Sequence, residues 1–169
     1  MTGFQYLPRG WRVTFEITPL GTQKGWSNIL HSTIGGNDKR YGDRTPGIWF
    51  LPGSTKLHIC SAVNGKRNFC YDSSPLPLNK MSRVTVIQVQ SPKSYKYYYQ
   101  IYINRQRVVN IHNRKPRVFR NTKFFAADGW YNPANAKINN LQVTMLRDRS
   151  KLLLNAQIYG FLAKWLRHW

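Results

Sequence analysis

Carboxylates are scarce in this sequence of 169 residues, which contains 26 Lys and Arg but only six Asp and Glu. Glu16 is the single glutamate, and the aspartates stand singly in segments expected to be loops. Hydrolysis of a glycosidic bond requires two carboxyl groups flanking that bond. Neither a G-x-S-x-G nor an H-E-x-x-H motif offers another hydrolytic mechanism. The sequence therefore predicts a protein that is not an enzyme.

Long apolar runs and glycosylation sequons are also missing. No segment approaches the ~20 apolar residues of a transmembrane helix. The opening residues, MTGFQYLPRG, lack the apolar segment of a signal peptide, so none is expected in this chain. The absence of any Asn-x-Ser/Thr sequon argues weakly against a heavily glycosylated protein.

Only two cysteines are present, and they bracket a strong hairpin signal, Asn64-Gly65. If residues 64–66 form the turn, Cys60 and Cys70 face each other, which predicts a cross-strand disulfide. A disulfide indicates an oxidising compartment, so an extracellular location is predicted. Two free thiols are the alternative. A zinc site with His58 is a further one, but its fourth ligand is not apparent.

Residues 94–112, SYKYYYQIYINRQRVVNIH, predict the central β-hairpin, because apolar and polar side chains alternate along them. The parity of this alternation favours a three-residue turn at 104–106. That turn pairs Ile101 with Val109 on the apolar face. On the same register Tyr98 lies opposite His112 on the polar face, where Gln100, Tyr102 and Asn110 also lie.

Short alternating or apolar segments predict further strands at 11–18, 25–33, 47–51, 56–63, 67–71, 83–90, 117–126 and 138–145. The first two are expected to form a hairpin across residues 19–21. About ten short strands separated by turn signals predict an all-β fold, a two-sheet antiparallel β-sandwich of the jelly-roll type, over residues 1–146.

The order of motifs WRVTFEIT, GWSNILH, YGDRTPGIWF, KLHIC, YYQIYIN, VVNIHN, FFAADGW and AKINNLQV resembles the laminin G-like and concanavalin A-like lectin superfamily over residues 4–145. Two departures are Asn104-Arg105 at the central turn and Ala136 where the last strand usually carries glycine. The resemblance implies a lectin-like jelly roll but no particular ligand. Calcium is common in the laminin G-like family, yet Asp38 and Asp43 are the only plausible pair here. No cofactor or metal is predicted.

The last residues, 147–169, differ in character and are predicted to form a separate basic tail. Apolar side chains recur at three- and four-residue spacing from Leu154 to Trp169, which predicts a short C-terminal amphipathic helix. Such a helix would pack on the sandwich, or it would bind an anionic membrane surface or a partner through residues 151–169.

Positive charge is concentrated between residues 73 and 127, where 11 Lys and Arg occur without any acid. A folded basic domain attracts polyanions, and arginine binds sulfate, phosphate or carboxylate through two hydrogen bonds. The predicted ligand-binding residues are Arg105, Arg107, Arg114, Lys115, Arg117 and Arg120, with Tyr98, Tyr102 and His112 as stacking or hydrogen-bonding neighbours.

These residues predict a non-enzymatic binding module for an anionic, heparin-like polysaccharide or a glycosylated partner. Three alternatives remain: a membrane-surface protein, a nucleic-acid-binding protein and a structural interaction domain. Nucleic acid is less favoured because no zinc finger, RNA-recognition motif or helix-turn-helix signature is present. If the protein is a structural interaction domain, its positive charge forms only a solvated surface.

Overall fold

The computed structural model describes residues 2–146, which form 12 β-strands and no helix. In chain order the strands are β1 (Thr2–Leu7), β2 (Gly10–Pro19), β3 (Ser27–Thr33), β4 (Gly47–Phe50), β5 (Lys56–Val63), β6 (Lys66–Pro75), β7 (Ser82–Gln90), β8 (Tyr97–Ile103), β9 (Gln106–Asn113), β10 (Phe119–Phe125), β11 (Asn132–Pro133) and β12 (Ala136–Leu146). Within this part of the chain, no helix has the length and apolar character needed to cross a membrane.

The strands form two sheets. The seven-stranded sheet has the order β1-β10-β3-β4-β5-β6, with the short β11 lying parallel beside β3. The five-stranded sheet has the order β12-β2-β7-β8-β9 and is antiparallel throughout. The predicted all-β, two-sheet β-sandwich is confirmed.

The core lies between the two sheets and follows from strict alternation in the strands. In β2, Trp11, Val13, Phe15 and Ile17 are at most 2% exposed, while the residues between them face outward. Burying each such side chain stabilises the fold by about 1.5–3 kcal/mol. They pack against the inner side chains of the other sheet, among them Ile48, Phe50, Leu57 and Ile59.

One polar contact crosses this core. The Tyr99 hydroxyl donates a hydrogen bond of 2.9 Å to Ser61 Oγ on the opposite sheet, and both residues are fully buried. Burial raises the pKa of Tyr99 well above its ordinary value, and the Ser61 hydrogen bond offsets only part of that rise. The hydroxyl therefore stays protonated as a donor that ties the two sheets together.

The predicted β8–β9 register is confirmed, but the predicted three-residue turn is wrong. Ile101 pairs with Val109 and Tyr98 with His112, as the alternation indicates. The turn contains only Asn104 and Arg105, both at positive φ (48° and 69°). Such two-residue turns match the twist of a hairpin. A bulge in β9 adds one unpaired residue, so the two-residue turn and the bulge together give the same register as a three-residue turn.

The predicted hairpin between the first two of the segments, 11–18 and 25–33, is wrong as well. The strands that contain them, β2 and β3, lie in different sheets, so residues 20–26 cross from one sheet to the other. All seven residues of β3 are buried, because loops cover the side of β3 that faces away from the core. A hairpin partner of β2 would instead have shown one exposed face.

A buried contact between a histidine and an aspartate anchors those covering loops. On the outer side of β3, His31 Nδ1 lies 2.6 Å from Asp128 Oδ2, and both side chains are fully buried. His31 Nε2 lies 2.6 Å from the carbonyl oxygen of Asp43 in another loop. Asp128 Oδ1 also accepts hydrogen bonds from the backbone N–H groups of Trp130 and Tyr131, both at 3.0 Å. The pair therefore fastens two loops to one strand.

The predicted C-terminal helix and its membrane-binding role concern residues 147–169, which lie outside the described residues. The predicted division into a sandwich, residues 1–146, and a tail, residues 147–169, stays a prediction.

Candidate functional site

The outer face of the β8–β9 hairpin carries aromatic and polar side chains in a row. Tyr98 and His112 lie opposite each other, with ring centroids 5.6 Å apart and planes inclined by 33°. Farther along, the Tyr102 hydroxyl donates to Gln100 Oε1, and the Gln100 amide donates to Asn110 Oδ1, each at 3.0 Å. The row therefore combines ring faces with hydroxyl and amide groups.

An open depression of about 490 Å³ lies at the His112 end of this row. It is lined by Asn64, His112, Arg114 and Lys115. The last three belong to the predicted ligand-binding set. Asn64 comes from the turn between β5 and β6, in the other sheet. The depression therefore lies where the edges of the two sheets meet.

Asn64 joins the two sheets by three hydrogen bonds. Its side-chain nitrogen donates to the carbonyl oxygen of His112 (3.0 Å), and its Oδ1 accepts from the Arg114 N–H (2.6 Å). Its own N–H donates to Asn113 Oδ1 (3.0 Å). Asn64 and Gly65 both have positive φ (54° and 79°), which suits an Asn-Gly turn. The turn geometry therefore directs the Asn64 side chain toward the end of β9.

Asn113 is the buried centre of this junction, with 2% of its surface exposed. Its Oδ1 also accepts from the Lys115 N–H at 3.0 Å, and its Nδ2 donates to Gln88 Oε1 at 2.6 Å. Gln88 in turn donates to the carbonyl oxygen of Arg9 at 2.6 Å. The backbone that carries Arg114 and Lys115 is therefore held by a chain of buried amides.

The same junction brings together cations that are distant in sequence. The chain leaves the Asn64-Gly65 turn directly into two exposed basic residues, and a Cβ at Gly65 would lie only 3.2 Å from Lys115 Cδ. We call the following five residues the basic cluster: Lys66, Arg67, Arg114, Lys115 and Arg117. All five are exposed. No carboxylate of residues 2–146 forms an ion pair with any of them.

Arg117 and Tyr41 form the outer edge of the basic cluster. The Arg117 guanidinium lies 4.8 Å from the centroid of the Tyr41 ring, and the Tyr41 hydroxyl donates to the Lys115 carbonyl oxygen at 3.1 Å. Burial raises the pKa of Tyr41, while the Gly65 N–H and the Arg117 charge partly counter this rise. Tyr41 therefore remains a neutral donor that supports the 115–117 segment.

The structure separates the other predicted arginines from this cluster. Arg105 lies in the β8–β9 turn and Arg107 near the start of β9, whose eight residues span about 26 Å. That length is several times the screening distance of ~8 Å at physiological salt. Arg120 lies on β10, four strands away from β6 in the seven-stranded sheet, where it pairs with Tyr6 of β1. The predicted set is therefore not a single patch.

The sequence does not indicate that Asn64 lines the depression, nor that Lys66 and Arg67, which follow the same turn, belong to the basic cluster. The Asn-Gly signal shows that a turn is present, and the basic residues after it are visible. That this turn contacts residues 112–115 depends on the packing of two sheets, which no local pattern encodes.

A second, smaller depression of about 220 Å³ lies on the five-stranded sheet, around Glu16. Arg83 Nη2 donates to Glu16 Oε1 at 2.6 Å, and Asn140 Nδ2 donates to Oε2 at 2.8 Å. These hydrogen bonds, chiefly the one from Arg83, lower the pKa of Glu16. The single glutamate is therefore held as a carboxylate by two donors.

We expect Arg83→Met to raise the pKa of Glu16 toward its ordinary value of 4.5. A lowered pKa adds stability above the unfolded-state pKa, and this stability is lost as the pH falls through the folded-state pKa. The variant should therefore lose less stability between neutral and acidic pH. An NMR titration of the Glu16 carboxyl carbon measures the shift. Arg12→Met is the control, and equal shifts in both variants would contradict the role of the hydrogen bond.

Asp43, one of the two aspartates considered for calcium, has its oxygens facing nitrogen donors. It accepts from the N–H groups of Gly36 (3.2 Å) and Arg40 (2.8 Å), and the Arg40 side chain lies 3.5 Å away. Its carboxylate is nearly fully buried. Asp43 therefore stabilises its own loop.

No protein-family model and no curated protein matches this sequence. Among solved structures, the fold is similar to the native heptameric SAP-like pentraxin from Limulus polyphemus. The two are 16% identical over 88% of this chain and 71% of the pentraxin, with a TM-score of 0.55. The fold is a lectin-like jelly roll. This confirms the fold implied by the resemblance to the laminin G-like and concanavalin A-like superfamily.

The lectin-like jelly roll also matches part of a larger enzyme, a Trypanosoma rangeli sialidase solved in complex with sialic acid. The match has a TM-score of 0.57 at 14% identity and covers 83% of this chain but only 22% of the sialidase. The chain therefore spans about a fifth of that protein's length, and at such identity the likeness concerns the fold alone.

Proposed function

We propose that the protein is a non-enzymatic, extracellular binding module for an acidic polysaccharide of the heparin type or for a partner carrying an acidic glycan. The observation that carries this proposal is the depression at the sheet junction. There the basic cluster borders the Tyr98–His112 ring pair, and no carboxylate of the described residues neutralises it. The same surface therefore offers charge for acidic groups and rings for sugar faces.

The charge acts through summation. A single exposed cation contributes little at physiological salt, where screening acts over ~8 Å. Several cations held on one junction face a polyanion together and release its counterions together. The buried Asn113 keeps two of the cationic residues on a fixed backbone, so less conformational entropy is lost when a ligand binds.

Two further features support a carbohydrate ligand outside the cell. The fold is a lectin-like jelly roll, and the row of side chains beside the basic cluster presents tyrosine, histidine and amide groups. Both features favour carbohydrate over nucleic acid as the ligand. The structure also contains the predicted disulfide between Cys60 and Cys70, which excludes the alternative of two free thiols. Disulfides of this kind favour an oxidising compartment.

The absence of catalysis is part of the proposal and is supported by the placement of the acids. Glu16 is bound by Arg83, and Asp128 is bound by His31 in the buried pair. Asp43 accepts backbone N–H groups in its loop. Each of these three carboxylates thus has a structural partner of its own, whereas glycoside hydrolysis needs two that face one substrate.

Two quadruple serine variants test the proposal at equal net charge. The cluster variant removes four cations at the junction: Lys66, Arg67, Arg114 and Lys115. The control variant removes four exposed cations outside it: Lys24, Lys56, Lys80 and Arg105. We expect the slope of log affinity against log salt for heparin to fall by roughly one per cation in the cluster variant, and by less than about one in total in the control.

Elution from a heparin column, compared with a plain cation exchanger, gives the same comparison without a fitted model. The cluster variant should lose its extra retention on heparin and elute alike from both columns. Equal losses in the two variants would show that net charge alone governs binding, and the site would have to be abandoned.

A further inference from the structure

A square of four chemically reactive side chains lies on the outer face of the seven-stranded sheet, on β5 and β6. His58 pairs directly with Asp72, and Cys60 pairs directly with Cys70. His58 and Cys60 are two residues apart on β5, as are Cys70 and Asp72 on β6. Both pairs therefore point to the same side of the sheet, away from the core residue Ile59.

The distances within this square are close to those of a metal site. One ring nitrogen of His58 and both sulfur atoms lie within 4.8 Å of one another. Around a tetrahedral zinc ion with bonds of about 2.0–2.3 Å, ligand atoms are roughly 3.3–3.8 Å apart. The histidine nitrogen must approach the sulfur atoms by up to about 1 Å, and the two sulfur atoms must move apart once the bond between them is broken.

Asp72 prepares the imidazole for such a role. Its Oδ1 lies 2.5 Å from His58 Nδ1, so the carboxylate holds the proton on that nitrogen and leaves the lone pair on Nε2. A carboxylate bonded to a ligating histidine in this way fixes the ring and raises its basicity. The His58 ring is also held by the Trp26 ring, at a centroid distance of 4.8 Å.

We propose that reduction of the Cys60–Cys70 disulfide converts this square into a zinc site. His58, Cys60 and Cys70 are its ligands, water takes the fourth position, and Asp72 acts as a positioning residue. Thiolate and imidazole together suit Zn²⁺. Because water takes the fourth position, the site does not need the fourth protein ligand that is not apparent in the sequence. The disulfide and the metal are alternative states of the same residues.

The conversion balances with a dithiol as the reductant. The dithiol supplies two electrons and two protons, the S–S bond breaks, two thiols form, and the reductant becomes a cyclic disulfide. Zn²⁺ then displaces both thiol protons to solvent. Two thiolates cancel the charge of the ion, so binding adds no net charge to a protein that carries a formal charge of +20.

Metal titration of the reduced and oxidised protein tests this proposal, with Co²⁺ as a spectroscopic substitute for Zn²⁺. After the dithiol has been removed without oxygen, the reduced protein should bind one ion per chain. Thiolate-to-cobalt charge-transfer absorption should appear, and two protons should be released per ion. The oxidised protein should show neither signal. Equal binding by the two forms, or no binding by the reduced form, would overturn the proposal.

Two substitutions assign the residues. His58→Asn should abolish the charge-transfer band in the reduced protein. Asp72→Asn should weaken Zn²⁺ binding by about 10–100-fold while leaving the melting temperature of the metal-free protein unchanged. Asp72→Glu should restore part of that affinity, and Asp38→Asn should have no effect. An Asp72→Asn variant with full affinity would remove Asp72 from the site.

The reduced chain could lose its fold, so a second comparison needs no reductant. Cys70→His keeps the Cys60 thiol and His58 beside a new imidazole at a partly exposed position. Cys70→Ser removes the same disulfide without supplying a ligand. The folded Cys70→His variant should bind Zn²⁺ more tightly than Cys70→Ser. Equal affinities would show that these positions do not converge on a metal.

Discussion

Replacing Asn113 by leucine is expected to lower the free energy of unfolding by about 3–5 kcal/mol and to abolish heparin-specific binding at the same time. The loss comes from three groups that Asn113 satisfies: Gln88 Oε1 and the N–H groups of Asn64 and Lys115. Each buried polar group left without a partner costs about 1–3 kcal/mol. Partial access of water to the two N–H groups sets the upper limit.

Chemical denaturation measures the stability change, and heparin elution below the unfolding midpoint measures the binding change. Gln106→Leu at the far end of the same strand is the control, because Gln106 is exposed and its replacement should cost no more than about 0.5 kcal/mol. A folded Asn113→Leu variant that binds heparin like the original protein would show that the 112–115 backbone needs no such support.

Asp128→Ala is expected to cost about 3–5 kcal/mol of stability and to leave heparin binding unchanged in the molecules that remain folded. Removal of Asp128 leaves an empty space beside the fully buried His31 ring and deprives its Nδ1 of a partner, and each buried polar group left without a partner costs about 1–3 kcal/mol. It also leaves the N–H groups of Trp130 and Tyr131 without their acceptor. None of these residues lines the depression at the sheet junction.

Thermal and denaturant unfolding measure the Asp128→Ala effect, with Asp38→Ala as the control that removes the same charge from a partly exposed position. Similar losses from the two variants would mean that net charge, rather than the buried pair, is responsible. A heparin affinity that falls with Asp128→Ala, measured where the protein is folded, would mean that the covering loops also shape the binding surface.

Strand identity and register could be predicted because alternation is local. The pairing of Tyr98 with His112 and that of Cys60 with Cys70 both follow from counting residues on either side of a turn. The turns themselves differ from the expected form in the same way. Each has two residues at positive φ, followed by a bulge in the second strand. The alternation of apolar and polar side chains fixes the register, but it cannot distinguish a three-residue loop from a two-residue turn with a bulge.

The surface proposed for binding is less predictable, because charge density along a chain is not charge density in space. Residues 114–120 look like one cluster, yet the chain enters β10 at Phe119, and Arg120 pairs with β1 at the opposite edge of the seven-stranded sheet from β6. Lys66 and Arg67 are about fifty positions away, yet they join the cluster through the hydrogen bonds of Asn64. Side-chain contacts between sheets decide both outcomes.

The amide junction also bears on how this protein opens. Hairpin turns usually exchange their amide protons through small local fluctuations, independently of the sheets. Here the N–H groups of Asn64 and Arg114 are bonded to side chains across the sheet boundary, and Asn113 is buried beneath them. Local opening of the turn must therefore also break hydrogen bonds between the two sheets. We expect the amide protons of the surface proposed to bind glycans to exchange more slowly than those of an ordinary hairpin turn.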